Sequence, residues 1–361
     1  MMKKSFPNRP LRAAIALALG LALTTGILSG CSKTPSNPNS GSAGSNPSGQ
    51  VSGDDLDAQV AAWKPDLKTI TIRVSNAAGG TADLKMRLIA KNVQDVTGTT
   101  AVVQNITGSN GFLMATDLMS YDPSPCEIML GTEALFAVVP LFNADVNVSL
   151  DDYEILFGMP LSSPSTLAVP ATLGVKTWDE FVSYAANNRI VMSSSAPGGM
   201  THIQGTALMG SAGISFDSVT DSGANKNILS CLNGDANCVI ANTTALHDYV
   251  ESGQMIPLVQ FNKTTYDDPD WGLDSIPSVA EIGFADIAIE PCSIVCCRKG
   301  ADPVGIEAMR RIMMDYLASD QGKAEMIEAG MTVTPEISGE EAYQRLTAEI
   351  DTFKMIKDKF Y

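Results

Sequence analysis

Three segments of this chain combine small residues, hydroxyls and uncovered backbone, which is chemistry for holding an anion. The first is Asn76-Ala77-Ala78-Gly79-Gly80-Thr81-Ala82-Asp83. Gly79 and Gly80 leave the backbone N–H groups bare where a helix begins, and unpaired amides at the positive end of a helix dipole attract anions. The second is Thr107-Gly108-Ser109-Asn110-Gly111, and the third is Ser193-Ser194-Ser195-Ala196-Pro197-Gly198-Gly199-Met200-Thr201-His202. Thr132, Thr220-Asp221 and Asn242 stand at further strand-to-helix junctions and complete the candidate contacts. Asp83 and Arg87 are four residues apart on one helix, so a salt bridge between them is the first expectation. His202 falls in a first helical turn, where the dipole favours a neutral ring and a role in orienting the loop. A hydrolase built from Ser193–Ser195 and His202 is the enzymatic alternative. Residues this close along one helix start do not set a serine, a histidine and a carboxylate in line. With two His in 361 residues and no Gly-x-Ser-x-Gly elbow, the chain reads as a binder, not an enzyme, and no cofactor or metal is expected.

The elements that must carry these loops alternate. The β-branched run Thr69–Val74 predicts a buried strand, and Leu84, Leu88, Ile89, Val93 and Val96 predict a helix stopped by Gly98. Further strands are expected at Ala101–Gln104, Glu127–Gly131, Ile155–Met159, Thr166–Val169, Ile190–Met192 and Cys238–Ala241. Helices fall between them, one opened by the capping pattern Thr177-Trp178-Asp179-Glu180. Alternation in a chain of this length argues for doubly wound α/β lobes with ligands at the carboxyl ends of the strands. About 300 ordered residues exceed one compact core, so two lobes are expected.

The N-terminus reads as an address. Lys3, Lys4, Arg9 and Arg12 precede an apolar run, Ala13–Leu28, that is short for a membrane span of ~20 residues. It closes on Leu28-Ser29-Gly30-Cys31, which resembles the lipobox of bacterial lipoproteins. That resemblance implies a signal peptide over 1–30, diacylation of Cys31, and attachment to the outer face of the cytoplasmic membrane or the periplasmic side of the envelope. The Ser/Pro/Asn/Gly-rich stretch that follows predicts a flexible tether, here taken as 31–62. Removal of 1–30 leaves 20 Lys+Arg against 40 Asp+Glu, a balance that excludes nucleic acid as a partner. Of the six remaining cysteines, Cys231 and Cys238 are the closest plausible disulfide pair. Cys292, Cys296 and Cys297 read as core residues, with no Cys-x2-Cys spacing or nearby His for a metal.

The order of these pieces resembles the substrate-binding proteins of tripartite tricarboxylate transporters, the Bug-type solute receptors, from about Lys68 to Lys357. The pattern Gly-Gly-x-x-Asp-x-x-x-Arg is met by Gly79, Gly80, Asp83 and Arg87, and Asn-x-x-Gly-x-x-Gly by Asn105, Gly108 and Gly111. A Ser-x-x-Gly-x-x-Ser-His-Leu helix start is matched by Ser194, Gly198, Thr201, His202 and Ile203. Leu232-Asn233-Gly234 and the set Ile276, Pro277, Ser278, Glu281, Gly283 complete the series. The resemblance implies a type II periplasmic-binding-protein fold with two lobes (63–165 with 285–361, and 166–284) joined by two crossings around a ligand cleft. It also implies a monomer that delivers a small carboxylated solute to membrane permease subunits. In that family, loop amides and hydroxyls hold the carboxylate. Two departures bear on the ligand: Thr220-Asp221-Ser222 replaces Tyr-Lys-Gly, and Asn242-Thr243 replaces Asp-Pro. Losing a Lys and gaining Asp221 argues against a tricarboxylate. Asp221 either caps the next helix or pairs a ligand ammonium, so an amino acid stays open beside a simple carboxylate. A receptor domain that signals to a membrane partner would share the same fold.

Overall fold

A computed structural model describes residues 53–361 apart from 144, 162, 221–222, 269–272 and 332. The expected signal segment, Cys31 with its expected lipidation, and Asp221 lie outside the described residues.

The first sheet grows from β1 (Thr69–Val74), whose Ile70, Ile72 and Val74 are fully buried. It pairs in parallel with β2 (Thr100–Asn105) and β3 (Glu127–Gly131). After β4 (Tyr153–Pro160) the chain crosses into a second sheet. That sheet holds β5 (Ser165–Pro170), β6 (Ile190–Ser194), β7 (Phe216–Thr220), β8 (Cys238–Asn242) and β9 (Met255–Gln260). A separate ribbon of β10 (Tyr266–Asp268) and β11 (Leu273–Ile276) precedes the return as β12 (Cys292–Arg298), and β13 (Ile337–Ser338) closes the first sheet. The strand orders are β2-β1-β3-β12-β4-β13 and β7-β6-β8-β5-β9. Each sheet therefore sets a parallel trio against one antiparallel strand that has just arrived from the other sheet: β12 in the first, β5 in the second. The crossings also bond to each other, Leu161 N–H donating to the Pro291 carbonyl at 2.9 Å.

Helices α1 (Gly53–Ala62), α2 (Thr81–Thr97), α3 (Phe112–Met119), α4 (Val139–Phe142), α5 (Trp178–Ala185), α6 (Met200–Ser211), α7 (Ala224–Leu232) and α8 (Thr243–Glu251) fill the connections. Helices α9 (Pro303–Ala318), α10 (Asp320–Glu328) and α11 (Gly339–Phe360) follow β12. Thr177 caps α5 by accepting the Glu180 N–H at 3.2 Å, while Glu180 takes the Lys176 N–H at 2.7 Å. The α2 period is as expected, but its phase differs. The buried face is Asp83, Met86, Ile89, Ala90 and Val93, and Val96 is exposed. Met86 and Ala90 complete the i, i+3, i+4 stripe that Leu84 and Val96 only flank. Thr132 does not cap with its side chain; its carbonyl accepts from Leu135 N–H, and Ala134–Val138 winds as a π-turn.

Two expected boundaries change. Residues 53–62, expected as the end of the tether, form α1, fastened by Arg311 to Asp57 at 2.8 Å, and the rest of that stretch lies outside the described residues. Residues 285–361 do not all serve the first lobe. Ala342 and Leu346 of α11 pack with β12 residues, whereas Phe353 and Ile356 lie in the core of the second sheet with Ile287, Ala288 and Ile289. An apolar stripe along 22 residues is long enough to cover both cores. The six described cysteines are buried free thiols, with Cys296 and Cys297 on opposite faces of β12. Cys231 and Cys238 form no disulfide. No helix of the described residues is long and apolar enough to cross a membrane.

Candidate functional site

The strand–loop–helix unit that opens the first sheet is held by Asp83. This carboxylate is buried and accepts the Gly79 N–H at 2.8 Å, the Arg87 Nε at 2.9 Å and the Asn105 amide at 2.8 Å. The Arg87 guanidinium foremost, then the loop and Asn105 donors, bring its pKa down to about 2. Asn105 also donates to the Asn76 carbonyl at 3.0 Å, so the ends of β1 and β2 are tied into one cradle. Gly79 adopts φ +84°, a left-handed backbone that glycine alone takes without strain, whereas Gly80 is extended at φ −75°. No side chain caps Gly80, and the first amides of α2 remain available to a ligand.

That helix start opens into a cavity of about 430 Å³ lined by Asn76, Thr81, Ala82, Lys85, Leu130, Thr132, Glu133, Met159, Pro160, Leu161, Asn242, Ser293, Met331 and Thr334. Asn242 belongs to the second sheet and Leu161 to a crossing, so the cavity lies between the sheets. An apolar wall of Leu130, Met159, Leu161 and Met331 faces amide and hydroxyl side chains, the usual make-up of a small-molecule site. Lys85 is already paired with Glu336 at 3.3 Å. A larger depression of about 500 Å³ lies at the amino ends of β6 and β7. Its charged lining residues, Arg189 and Asp217, satisfy each other at 2.7 Å, and it sits at the strand ends opposite those that bind ligands in such sheets.

Four of the expected contacts, Asn76, Thr81, Thr132 and Asn242, meet in the cleft cavity. Ala77, Ala78, Gly79, Gly80 and Asp83 build the loop behind them. Thr107, Gly108, Ser109 and Gly111 form the neighbouring turn, with Ser109 and Asn110 both at positive φ and Gly111 facing Ser75. They do not line the cavity. On the second sheet, Ser195 accepts the Thr201 hydroxyl at 3.0 Å and the His202 N–H at 3.3 Å, and Ser194 donates to the Ser195 carbonyl at 3.2 Å. Ser194 pairs in register with exposed Thr220. This cluster with Gly198 is hydrogen-bonded within itself and stands outside the cavity lining. His202 meets the Tyr361 hydroxyl at 3.0 Å, and burial lowers its pKa. Lys85, Glu133, Ser293 and Thr334 are cavity residues that the motifs did not single out. Among the described residues, the metal-ligating donors that gather are His247, Asp248 and Glu251 on the surface of α8.

The profile described as tripartite tricarboxylate transporter family receptor matches residues 85–333. The UPF0065 protein in the gbd 5′ region of Cupriavidus necator is 26% identical over 261 residues, covering 69% of this chain and 74% of that protein. A TctC solute-binding protein from Polaromonas superposes with a TM-score of 0.68 at 18% identity, covering 81% of this chain and 98% of the other. An R. palustris structure with adipate superposes with a TM-score of 0.66 at 21% identity, covering 81% and 96%. The two-sheet α/β architecture is that of the periplasmic binding proteins. The chain is a solute-binding receptor and belongs to the tripartite tricarboxylate transporter receptor family.

Proposed function

We propose that this receptor captures a small carboxylated solute in the cleft between its two sheets and delivers it to the permease subunits of a tripartite transporter. In this reading a lipid on Cys31 holds it at the cell envelope. The observation that carries the reading is the cleft cavity itself. One wall is the uncapped start of α2, which offers amides to an anion, and the other includes Asn242 from the opposite sheet. A solute held from both sides favours closure of the lobes about the paired crossings at Leu161 and Pro291. The adipate held by the R. palustris relative supports a carboxylate of similar size.

A thermal-shift panel of mono-, di- and tricarboxylates on the purified chain tests this. A carboxylate at 100 times its Kd stabilises by ~2.7 kcal/mol, a readily measured rise in midpoint. At least one small carboxylate is expected to give that rise, with matched neutral amides inert. A panel in which no carboxylate shifts the midpoint would overturn the reading.

A further inference from the structure

Tyr361 follows the last turn of α11 and touches two other elements. Its ring packs edge-on against Phe142 of α4, with centroids 5.1 Å apart. Its hydroxyl lies 3.0 Å from His202 Nδ1 and 3.2 Å from the Thr206 hydroxyl, both on α6. Beside it the Phe360 ring rests on Gly210, one turn beyond Thr206, where a Cβ would lie 2.5 Å from the ring. His202, Thr206 and Gly210 recur every fourth residue, so they form one stripe of the α6 surface. Lys357 of α11 donates to the Leu141 carbonyl at 2.5 Å and fastens the same junction.

Proton supply fixes the direction of each bond. The Thr206 hydroxyl gives its single proton to the His202 carbonyl at 2.9 Å, so toward Tyr361 it can only accept. The phenol proton therefore goes to Thr206, and the phenol oxygen receives its other bond from His202. Burial lowers the His202 pKa, so the ring is neutral at pH 7 and above, and its one proton sits on Nδ1. The result is a closed ring of three hydrogen bonds: Nδ1 to Tyr361, Tyr361 to Thr206, and Thr206 back to the His202 carbonyl. It fixes both the tautomer and the orientation of His202 in the first turn of α6.

Both neighbours of Tyr361 lead back to the cleft. The 193–202 loop is wound on the start of α6: the Ser195 N–H donates to the Thr201 hydroxyl at 2.9 Å, and Ser195 Oγ receives the Thr201 hydroxyl and the His202 N–H. That loop lies at the carboxyl end of β6, beside β8, whose own carboxyl end supplies Asn242 to the cavity. On the other side, the chain runs from the cavity residues Thr132 and Glu133 through the π-turn to Phe142, with Ala137 and Val138 buried in the second core. We infer that Tyr361 is a positioning residue of the receptor: through His202 and Phe142 it holds the 193–202 loop of the second sheet against the Thr132–Phe142 segment of the first, so that a solute meets two walls already aligned. A wall left free to turn has to be ordered on binding, which weakens affinity. This rests on the carboxylate-receptor reading and extends it to a residue outside the cavity lining.

The test uses Tyr361→Phe, which keeps the ring against Phe142 and removes only the hydroxyl. Nitrogen-15 NMR of the imidazoles at pH 8 reads the hydrogen-bond ring directly, because the chain has two histidines and His247→Gln identifies the His202 signals. The unaltered protein is expected to carry the His202 proton on Nδ1, and Tyr361→Phe to shift it toward Nε2. Calorimetric titration with adipate, succinate and citrate then measures the consequence. Tyr361→Phe is expected to weaken whichever of them binds by about three- to tenfold, the cost of ordering a side chain on binding, with the unfolding midpoint little changed. A His202 proton on Nε2 in the unaltered protein, or undiminished affinity in Tyr361→Phe, would overturn the positioning role, while binding of a carboxylate to the unaltered protein leaves the receptor reading intact. A carboxylate panel blank for the unaltered protein would overturn both.

Discussion

Arg73→Met lowers the unfolding free energy by about 3–5 kcal/mol, the cost of breaking a buried ion pair by removing one partner. Arg73 points from β1 into the interior and is only 1% exposed. Its Nε meets Asp117 at 2.6 Å, a second guanidinium nitrogen meets Glu127 at 2.5 Å, and its Cζ lies 4.5 Å from the Tyr121 ring centre. Removing the cation leaves Glu127, 7% exposed, as an uncompensated charge inside the sheet. Burial alone would lower the arginine pKa, but the hydrogen bonds it donates to Asp117 and Glu127, with their negative charges, outweigh it and the pKa is raised. Urea unfolding of Arg73→Met and of Arg73→Met with Glu127→Gln checks this, the second substitution being expected to restore part of the loss. A drop below about 1 kcal/mol in the single variant would show that the pair is hydrated rather than buried. Arg73 immediately precedes Val74 and the Asn76–Gly80 loop, so the same variant should also weaken solute binding.

The second large effect has the opposite sign. Glu349 lies on α11 between Leu346, in the core beside the first sheet, and Phe353, in that of the second. It is 4% exposed, and neither carboxylate oxygen has a hydrogen-bond partner. Burial first, then the nearby Glu133 and Glu290, push its pKa up to about 9, with Lys263 opposing weakly. The folded state therefore keeps a proton that the unfolded chain gives up near pH 4.5. Below that pH both states hold the proton and Glu349 adds no pH dependence. Between about 4.5 and 9 its contribution to stability falls by ~1.4 kcal/mol per pH unit, which reaches about 3 kcal/mol at pH 7. Glu349→Met should raise stability at pH 7 by about that amount and remove much of the decline between pH 5 and 8. The remaining decline, ending near pH 7, belongs to Glu133. Unfolding midpoints across that range decide it, and an unchanged slope in Glu349→Met would contradict the assignment.

Local structure was legible where the determinants are neighbours in the chain. The β1–loop–α2 unit follows from a β-branched run, two glycines and a helical period, and the Asp83–Arg87 bridge follows from i, i+4 spacing. The cleft was only partly legible, because its walls are assembled from distant segments. Met159–Leu161, Ser293 and Met331–Thr334 reach one cavity through sheet order and the packing after α10, which no local pattern encodes. Glu133 looks in sequence like an ordinary acidic residue at a helix start. Its raised pKa comes from burial, which only three-dimensional packing reveals. The hydroxyls around Ser194 show the converse: their spacing suggests ligand contacts, yet Ser195 and Thr201 are engaged in closing the start of α6.

Hydrogen exchange of the purified chain, free and saturated with the solute giving the largest thermal shift, tests the cleft assignment most directly. Protection is expected to concentrate in residues 76–85, 130–134, 159–161 and 242–244, drawn from both sheets and one crossing. Protection confined to residues 185–190 and 212–217, around the depression at the amino ends of β6 and β7, with the cleft segments unchanged, would contradict it.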